Sequence, residues 1–108
     1  MQTVFKYDFS KNYISFDPQE DTLELWMDEI IIDYEYPKIF IALLKSAFDK
    51  FSNIGYKKVI QHIPKEDWEL VKDLKWLKKT YTCSSIITIE CNIEDALENI
   101  IKGIGINI

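Results

Sequence analysis

The sequence predicts an α/β (α+β) domain whose mixed sheet opens as an antiparallel meander, continues as β-α-β-α-β and closes on a C-terminal helix. Three observations carry that expectation. Thr3 to Phe9, Tyr13 to Phe16 and Thr22 to Met27 alternate apolar and polar residues with the period of two that marks strands. Phe40, Leu43, Leu44, Ala47, Phe48 and Phe51 recur at i, i+3, i+4, i+7, i+8 and i+11, one apolar stripe along a helix of about four turns. That stripe lies between the strand-like runs Ile30–Ile32 and Tyr56–Ile63. A helix between two strands implies a right-handed crossover and a parallel pair.

The elements follow in order. Thr3, Phe5, Tyr7 and Phe9 fall on one side of the first strand, and Ser10-Lys11-Asn12 reads as a turn. Tyr13–Phe16 is a second strand, and Asp17-Pro18-Gln19-Glu20-Asp21 reads as a polar loop with proline at a turn position. In Thr22–Met27, Leu23 and Leu25 oppose Glu24 and Trp26. The pattern leaves two readings at Asp28-Glu29, a break or a strand continuing into Ile30–Tyr34. Ile30, Ile31 and Ile32 suit a strand buried on both faces. Pro37 stands at a first helical position, where its missing N–H costs nothing, and Gly55 stands where a left-handed C-terminal cap belongs.

Pro64 is expected to open a second helix, with Trp68, Val71, Leu74 and Leu77 inward and Lys65, Lys72, Lys75 and Lys79 outward. Its acids gather early and its lysines late, as the helix dipole favours. Thr80–Cys91 reads as strand, with a bulge or a turn at Ser84-Ser85. Asn92 is a good N-cap. Ile93, Ala96, Leu97, Ile100 and Ile101 then give a third amphipathic helix, closed at Gly103. The apolar tail IGINI is expected to pack as a last strand, with partner binding as the alternative.

At 108 residues, 47% hydrophobic and 29% charged, the chain makes one globular domain spanning residues 1–108. No apolar run approaches the ~20 residues of a membrane-spanning helix, and MQTVFKYDFSK carries no signal-like apolar segment. The expectation is a soluble protein of a reducing, cytoplasmic compartment. Cys83 and Cys91 on one continuous strand would lie roughly 26 Å apart, too far for a disulfide; only a turn at Ser84-Ser85 would bring them together. All 13 basic residues are lysine, and isoleucine appears 18 times. That usage is common in AT-rich genomes, including those of viruses and bacteriophages, and places the protein in the host cytoplasm if it is viral.

The net charge of −5 hides an asymmetry. From Asn12 to Pro37 there are eight acids and no lysine; from Lys38 to Lys79 there are ten lysines against five acids. Solvated faces are one reading of such runs. Complementary contact surfaces, for a protein partner or for head-to-tail assembly of copies, are the other. The contact candidates are Asp17, Glu20, Asp21, Glu24 and Asp28 on the acidic side, and Lys65, Lys72, Lys75 and Lys79 on the basic side. Direct nucleic-acid binding is disfavoured by a pI near 4.8 and the absence of arginine. An acidic mimic that occupies a nucleic-acid-binding protein is an alternative.

Other chemistries find little footing. His62 is the only histidine, on a strand beside apolar neighbours. Two cysteines and one histidine at unrelated spacings make no zinc motif. Asp28-Glu29 and Glu66-Asp67 are adjacent acids, whose side chains diverge on a regular element. Cys83 with His62 would serve as a nucleophile–base pair only on neighbouring strands. With Gly55, Gly103 and Gly105 as the only glycines, no phosphate-cradling loop is present.

The order strand, helix, strand, helix, strand after a meander, with NIGYKKVIQHI stepping from helix to strand, resembles the core of the GNAT superfamily of N-acetyltransferases over roughly 60% of the chain, judged by element order alone. The resemblance implies acetyl-CoA as cofactor, Lys38 on a phosphate, and Tyr81 or Cys83 near the chemistry. The sequence departs from that family where the pyrophosphate would sit. Donors must converge on an anion there, and glycines let the backbone approach. This chain has Tyr34-Glu35-Tyr36-Pro37-Lys38 instead, without glycine, with one amide donor removed and with an added negative charge. The residues therefore favour a non-catalytic interaction or structural module without a cofactor over a reduced acyltransferase.

Overall fold

The computed structural model describes residues 3–6, 10–71, 79–83 and 85–104. In chain order the elements are β1 (Thr3–Lys6), β2 (Tyr13–Gln19), β3 (Glu24–Ile31), α1 (Pro37–Asn53), β4 (Lys58–Pro64), a 3-10 turn (Lys65–Asp67), α2 (Trp68–Val71), β5 (Lys79–Cys83), β6 (Ile86–Asn92) and α3 (Ile93–Ile104). The strands form one mixed sheet in the order β1-β2-β3-β4-β6-β5. β3 and β4 are its parallel pair, and the other neighbours run antiparallel.

The central crossover forms as its pattern implies. Pro37 is the first residue of α1, and all six residues of the predicted stripe are buried. The helix ends in a Schellman motif. Gly55 adopts φ +106°, its N–H donates to the Ser52 carbonyl at 3.1 Å, and the Tyr56 N–H donates to the Phe51 carbonyl at 3.0 Å. The rings of Phe51 and Tyr56 meet edge to face at 5.3 Å, the apolar contact that usually accompanies this cap.

Ile14 and Phe16 of β2, Leu25 and Met27 of β3, Val59 and Ile63 of β4, and Ile87, Ile89 and Cys91 of β6 turn one sheet face toward α1 and α3. Ile93, Ala96 and Ile100 of α3 complete this core, and Trp68 of α2 packs against it. Phe16 sits at its centre, fully buried, with its ring 6.0 Å from those of Phe48 and Phe51. On the other face Trp26 and His62 meet at 4.6 Å and Lys58 faces Glu90.

Several expectations change. Asp17-Pro18-Gln19 is strand rather than loop: β2 continues to Gln19, with Pro18 opposite Leu25. Pro18 lies beyond the residue paired with Thr3, so among the described residues it has a ladder partner on one side only, where a missing N–H is tolerated. The turn is Glu20–Leu23, and Leu23 takes φ +57° as the chain reverses. β3 does not break at Asp28-Glu29. Phe16 pairs with Met27 and Ser15 with Glu29, so Asp28 is the extra residue of a β-bulge. Ile30–Ile32 is not buried on both faces: Ile30 and Ile32 are half-buried, and Ile31 is 46% exposed at the strand's end. β4 does not follow β3 this far, since the two pair only from Glu24–Lys58 to Trp26–Ile60.

Pro64 ends β4, paired with Ile86, instead of opening a helix. The Lys65 N–H donates to the Ser85 carbonyl at 2.7 Å and holds the chain to the sheet one residue longer. Leu74 and Leu77 lie outside the described residues, as do Tyr7, Phe9 and the tail beyond Ile104. Thr80–Cys91 is a hairpin of β5 and β6 turning at Ser85. Cys83 faces Ile86, and Cys91 lies five residues further along β6, about 16 Å away. Cys91 is buried on the core-facing side of β6. α3 runs through Gly103 to Ile104 rather than stopping at the glycine. Among the described residues no helix is long and apolar enough to cross a membrane.

Phe16→Ala should lower the free energy of unfolding by about 3–5 kcal/mol, the cost of an aromatic cavity in a rigid core. A urea titration followed by circular dichroism measures it. A loss below about 1 kcal/mol would contradict the central packing assigned to this ring.

Candidate functional site

The turn from β3 into α1 is where a phosphate cradle would lie, and it is already filled. Asn12, only 1% exposed, is its hub. Its Oδ1 accepts the Asp33 N–H at 2.7 Å and its Nδ2 donates to the Tyr36 carbonyl at 3.0 Å. The Asp33 carboxylate accepts the Glu35 N–H at 3.1 Å through Oδ1 and the Lys11 N–H at 2.9 Å through Oδ2. The Tyr36 N–H donates to the Asp33 carbonyl at 3.0 Å, and Pro37 has no N–H. The backbone donors of Lys11, Asp33, Glu35 and Tyr36 are therefore spent on the chain's own oxygens. One of those acceptors is itself an anion. A phosphate approaching this helix start would meet Asp33 and Glu35 before it met donors. Lys38 is exposed beyond the turn, in the first turn of α1.

The candidate chemical residues lie apart. Tyr81 pairs with Thr88, which pairs with His62 across β6, so Tyr81 and His62 stand two strand spacings apart, roughly 10 Å. Cys83 is in line with Ile86 and Pro64 and not with His62. β6 separates their strands, which removes the neighbouring-strand arrangement a Cys83–His62 pair requires. His62 is exposed, with its ring against Trp26. Among the described residues no group of three or more His, Cys, Asp or Glu side chains is placed to hold a metal ion.

The acidic candidates do come together. Asp17 on β2, Glu20 and Asp21 in the β2–β3 turn, and Glu24 at the start of β3 gather at one end of the sheet. Asp28 is exposed in the bulge, further along β3. Beside this hairpin lies an open cleft of roughly 730 Å³, bordered by Glu20, Asp21, Glu24, Trp26, Lys50 and Tyr56 among others. Burial, together with the nearby Glu20 carboxylate, pushes the Tyr56 hydroxyl above its ordinary value. On the basic side, Lys65 is exposed in the 3-10 turn and Lys79 begins β5 opposite Glu90. Lys72 and Lys75 lie outside the described residues.

Sequence reasoning missed Asn12, Asp33 and Tyr56. Tyr56 left a readable signal, since an apolar residue directly after a helix-capping glycine belongs to the Schellman pattern. Asn12 left none, because its partners in the β3–α1 turn lie more than twenty residues away.

No family model matches the chain, and no curated protein does. A search of solved structures finds a GNAT family N-acetyltransferase, YhbS of Escherichia coli, crystallised in complex with CoA. The similarity is weak: 17% identity and a TM-score of 0.43, over 82% of this chain and 56% of that one. By its own elements the chain is a small α+β domain.

Asn12→Ala should cost about 1–3 kcal/mol of stability, because it leaves the part-buried Asp33 N–H without its acceptor. Asn12→Asp should be destabilised at neutral pH and recover on acidification, since a carboxylate buried beside Asp33 is held above its usual range. Thermal melts across pH check both, and a pH-independent Asn12→Asp melt would contradict the assignment. For Tyr56, the neutral hydroxyl is favoured in the folded state. Stability is therefore lost as pH rises past the unfolded value of 10.0. Tyr56→Phe should flatten that alkaline limb in the same melts.

Proposed function

We propose that this chain is a non-catalytic interaction module that meets a protein partner through the acidic end of its β2–β3 hairpin. The observation that carries the reading is the β3–α1 turn, where the Asp33 carboxylate takes the Glu35 and Lys11 N–H groups and sets a negative charge at the start of α1. The support for the surface is the convergence of Asp17, Glu20, Asp21 and Glu24 on one end of a rigid sheet. Such a patch steers a basic partner and rejects acidic ones more than it adds affinity. The Ile- and Lys-rich, arginine-free composition fits a viral or phage source, in which the partner is a host or virion protein.

A second reading, a reduced acyltransferase, has one observation in its favour. β3 and β4 pair over only three residues and then part beyond Trp26 and Ile60, leaving room for an extended ligand between parallel strands. In that reading Lys38 meets a phosphate and Tyr81 or Cys83 lies near the chemistry.

Calorimetry with acetyl-CoA separates the two. The interaction module gives no heat at millimolar ligand, and micromolar binding would overturn it. Affinity capture from the native context should recover a partner whose binding weakens with salt, by the screening expected between exposed charges. Reversing Glu20, Asp21 and Glu24 to lysine should abolish that capture, and a salt-indifferent complex would rule the acidic surface out.

A further inference from the structure

We propose that the cleft at the acidic end of the sheet binds a primary alkylammonium group, either the side chain of a partner's lysine or one end of a free polyamine. This rests on the reading of the acidic end as a contact surface and names the chemistry it takes. Among the described residues the cleft is bordered by three carboxylates, those of Glu20, Asp21 and Glu24, and by one ammonium, that of Lys50. Lys50 is held partly over the Phe51 ring, 5.7 Å from its centroid. The remaining field favours a cation.

A second feature points to a ligand independently of charge. Tyr56 borders the cleft and is only 7% exposed, its ring wedged against Phe51. No group among the described residues bonds its hydroxyl, which opens on the cleft rather than being sealed in the core, and so is free to meet a ligand. A phenol oxygen accepts as well as donates, and an alkylammonium offers three N–H donors on a narrow apolar stem. Carboxylate and phenol oxygens together satisfy those donors, while Ile54, Phe51 and the Trp26 ring give the stem apolar surface. The volume, roughly 730 Å³, falls in the range of small-ligand sites and exceeds what one ammonium group fills, leaving room for the chain behind it.

The test uses the full chain, labelled with ¹⁵N, at low salt. Three probes are titrated: spermidine, N-acetyl-lysine methylamide and its uncharged norleucine analogue. The reporter is the Trp26 indole N–H, whose Nε1 donates to Glu24 Oε1 at 3.2 Å. Both amines should shift it saturably, and the norleucine analogue should not. By calorimetry, Glu20→Gln with Glu24→Gln should weaken amine binding about 10-fold, the loss of two charge-assisted contacts in a partly exposed site. Tyr56→Phe, which keeps the ring stack, should weaken it about 3- to 10-fold. Tighter binding of the lysine probe assigns the source to a protein side chain, and tighter binding of spermidine assigns it to a free polyamine. An equal response to norleucine, a linear unsaturated shift, or unchanged affinity in the double variant overturns the site. If no amine binds while partner capture still depends on salt and on these acids, the ammonium site falls and the acidic contact surface stands. Amine binding without any salt-sensitive partner leaves the ammonium site standing and removes the protein contact surface.

Discussion

The buried side chain of Asn12 is the constraint on which the arrangement of this domain depends. It stands just before β2 and reaches across to both ends of the turn that launches α1, accepting from the Asp33 N–H and donating to the Tyr36 carbonyl. Without it the Asp33 N–H would lose its acceptor, a cost of about 1–3 kcal/mol, and the Tyr36 carbonyl one of its several donors. Once Asn12 satisfies them, the direction in which the chain leaves β3 is set, and with it the line along which α1 lays Phe40 to Phe51 on the sheet. The same bonds decide what the turn cannot do. Asp33 completes the network with its carboxylate, so the helix start that could have greeted an anion instead presents one.

β3 connects the two regions of functional interest. At its start, Glu24, Leu25 and Trp26 pair with β4 and lie beside the acidic turn and its cleft. Its far end, beyond the bulge at Asp28, pairs only with β2 and runs into the Asn12 network. The bulge adds local twist and bends the strand. That is a physical reason for β3 to leave β4 after three paired residues. One strand therefore separates a crowded, self-satisfied end from an open, acidic one.

The candidate surfaces were legible in unequal measure. Eight acids without a lysine between Asn12 and Pro37 stand out in the sequence, but their division does not. Glu20, Asp21 and Glu24 face a cleft, whereas Asp33 is consumed in holding the backbone. Composition counts both as negative charge. Only geometry separates a charge available to a partner from one spent on the fold. The cleft itself borrows Tyr56 and Lys50 from the far end of α1, residues that no local pattern associates with the hairpin.

The sequence by itself determined the helices and their caps. Pro37, the stripe from Phe40 to Phe51, Gly55 and the apolar positions of α3 act within a few residues of one another, so their signals are local and survive without knowledge of the fold. What tertiary structure decided was the length and pairing of strands. Pro18 is carried into β2 because, among the described residues, it has a ladder partner on one side only. Thr80–Cys91 folds back on itself, and Pro64 stays in the sheet with Lys65 bonded to Ser85. Asp28 becomes a bulge because the registers on its two sides differ by one residue. Each of these depends on a hydrogen-bonding partner far away in sequence. Strand propensity measures fit to neighbours the chain has yet to find, so these features appear only when the sheet is assembled.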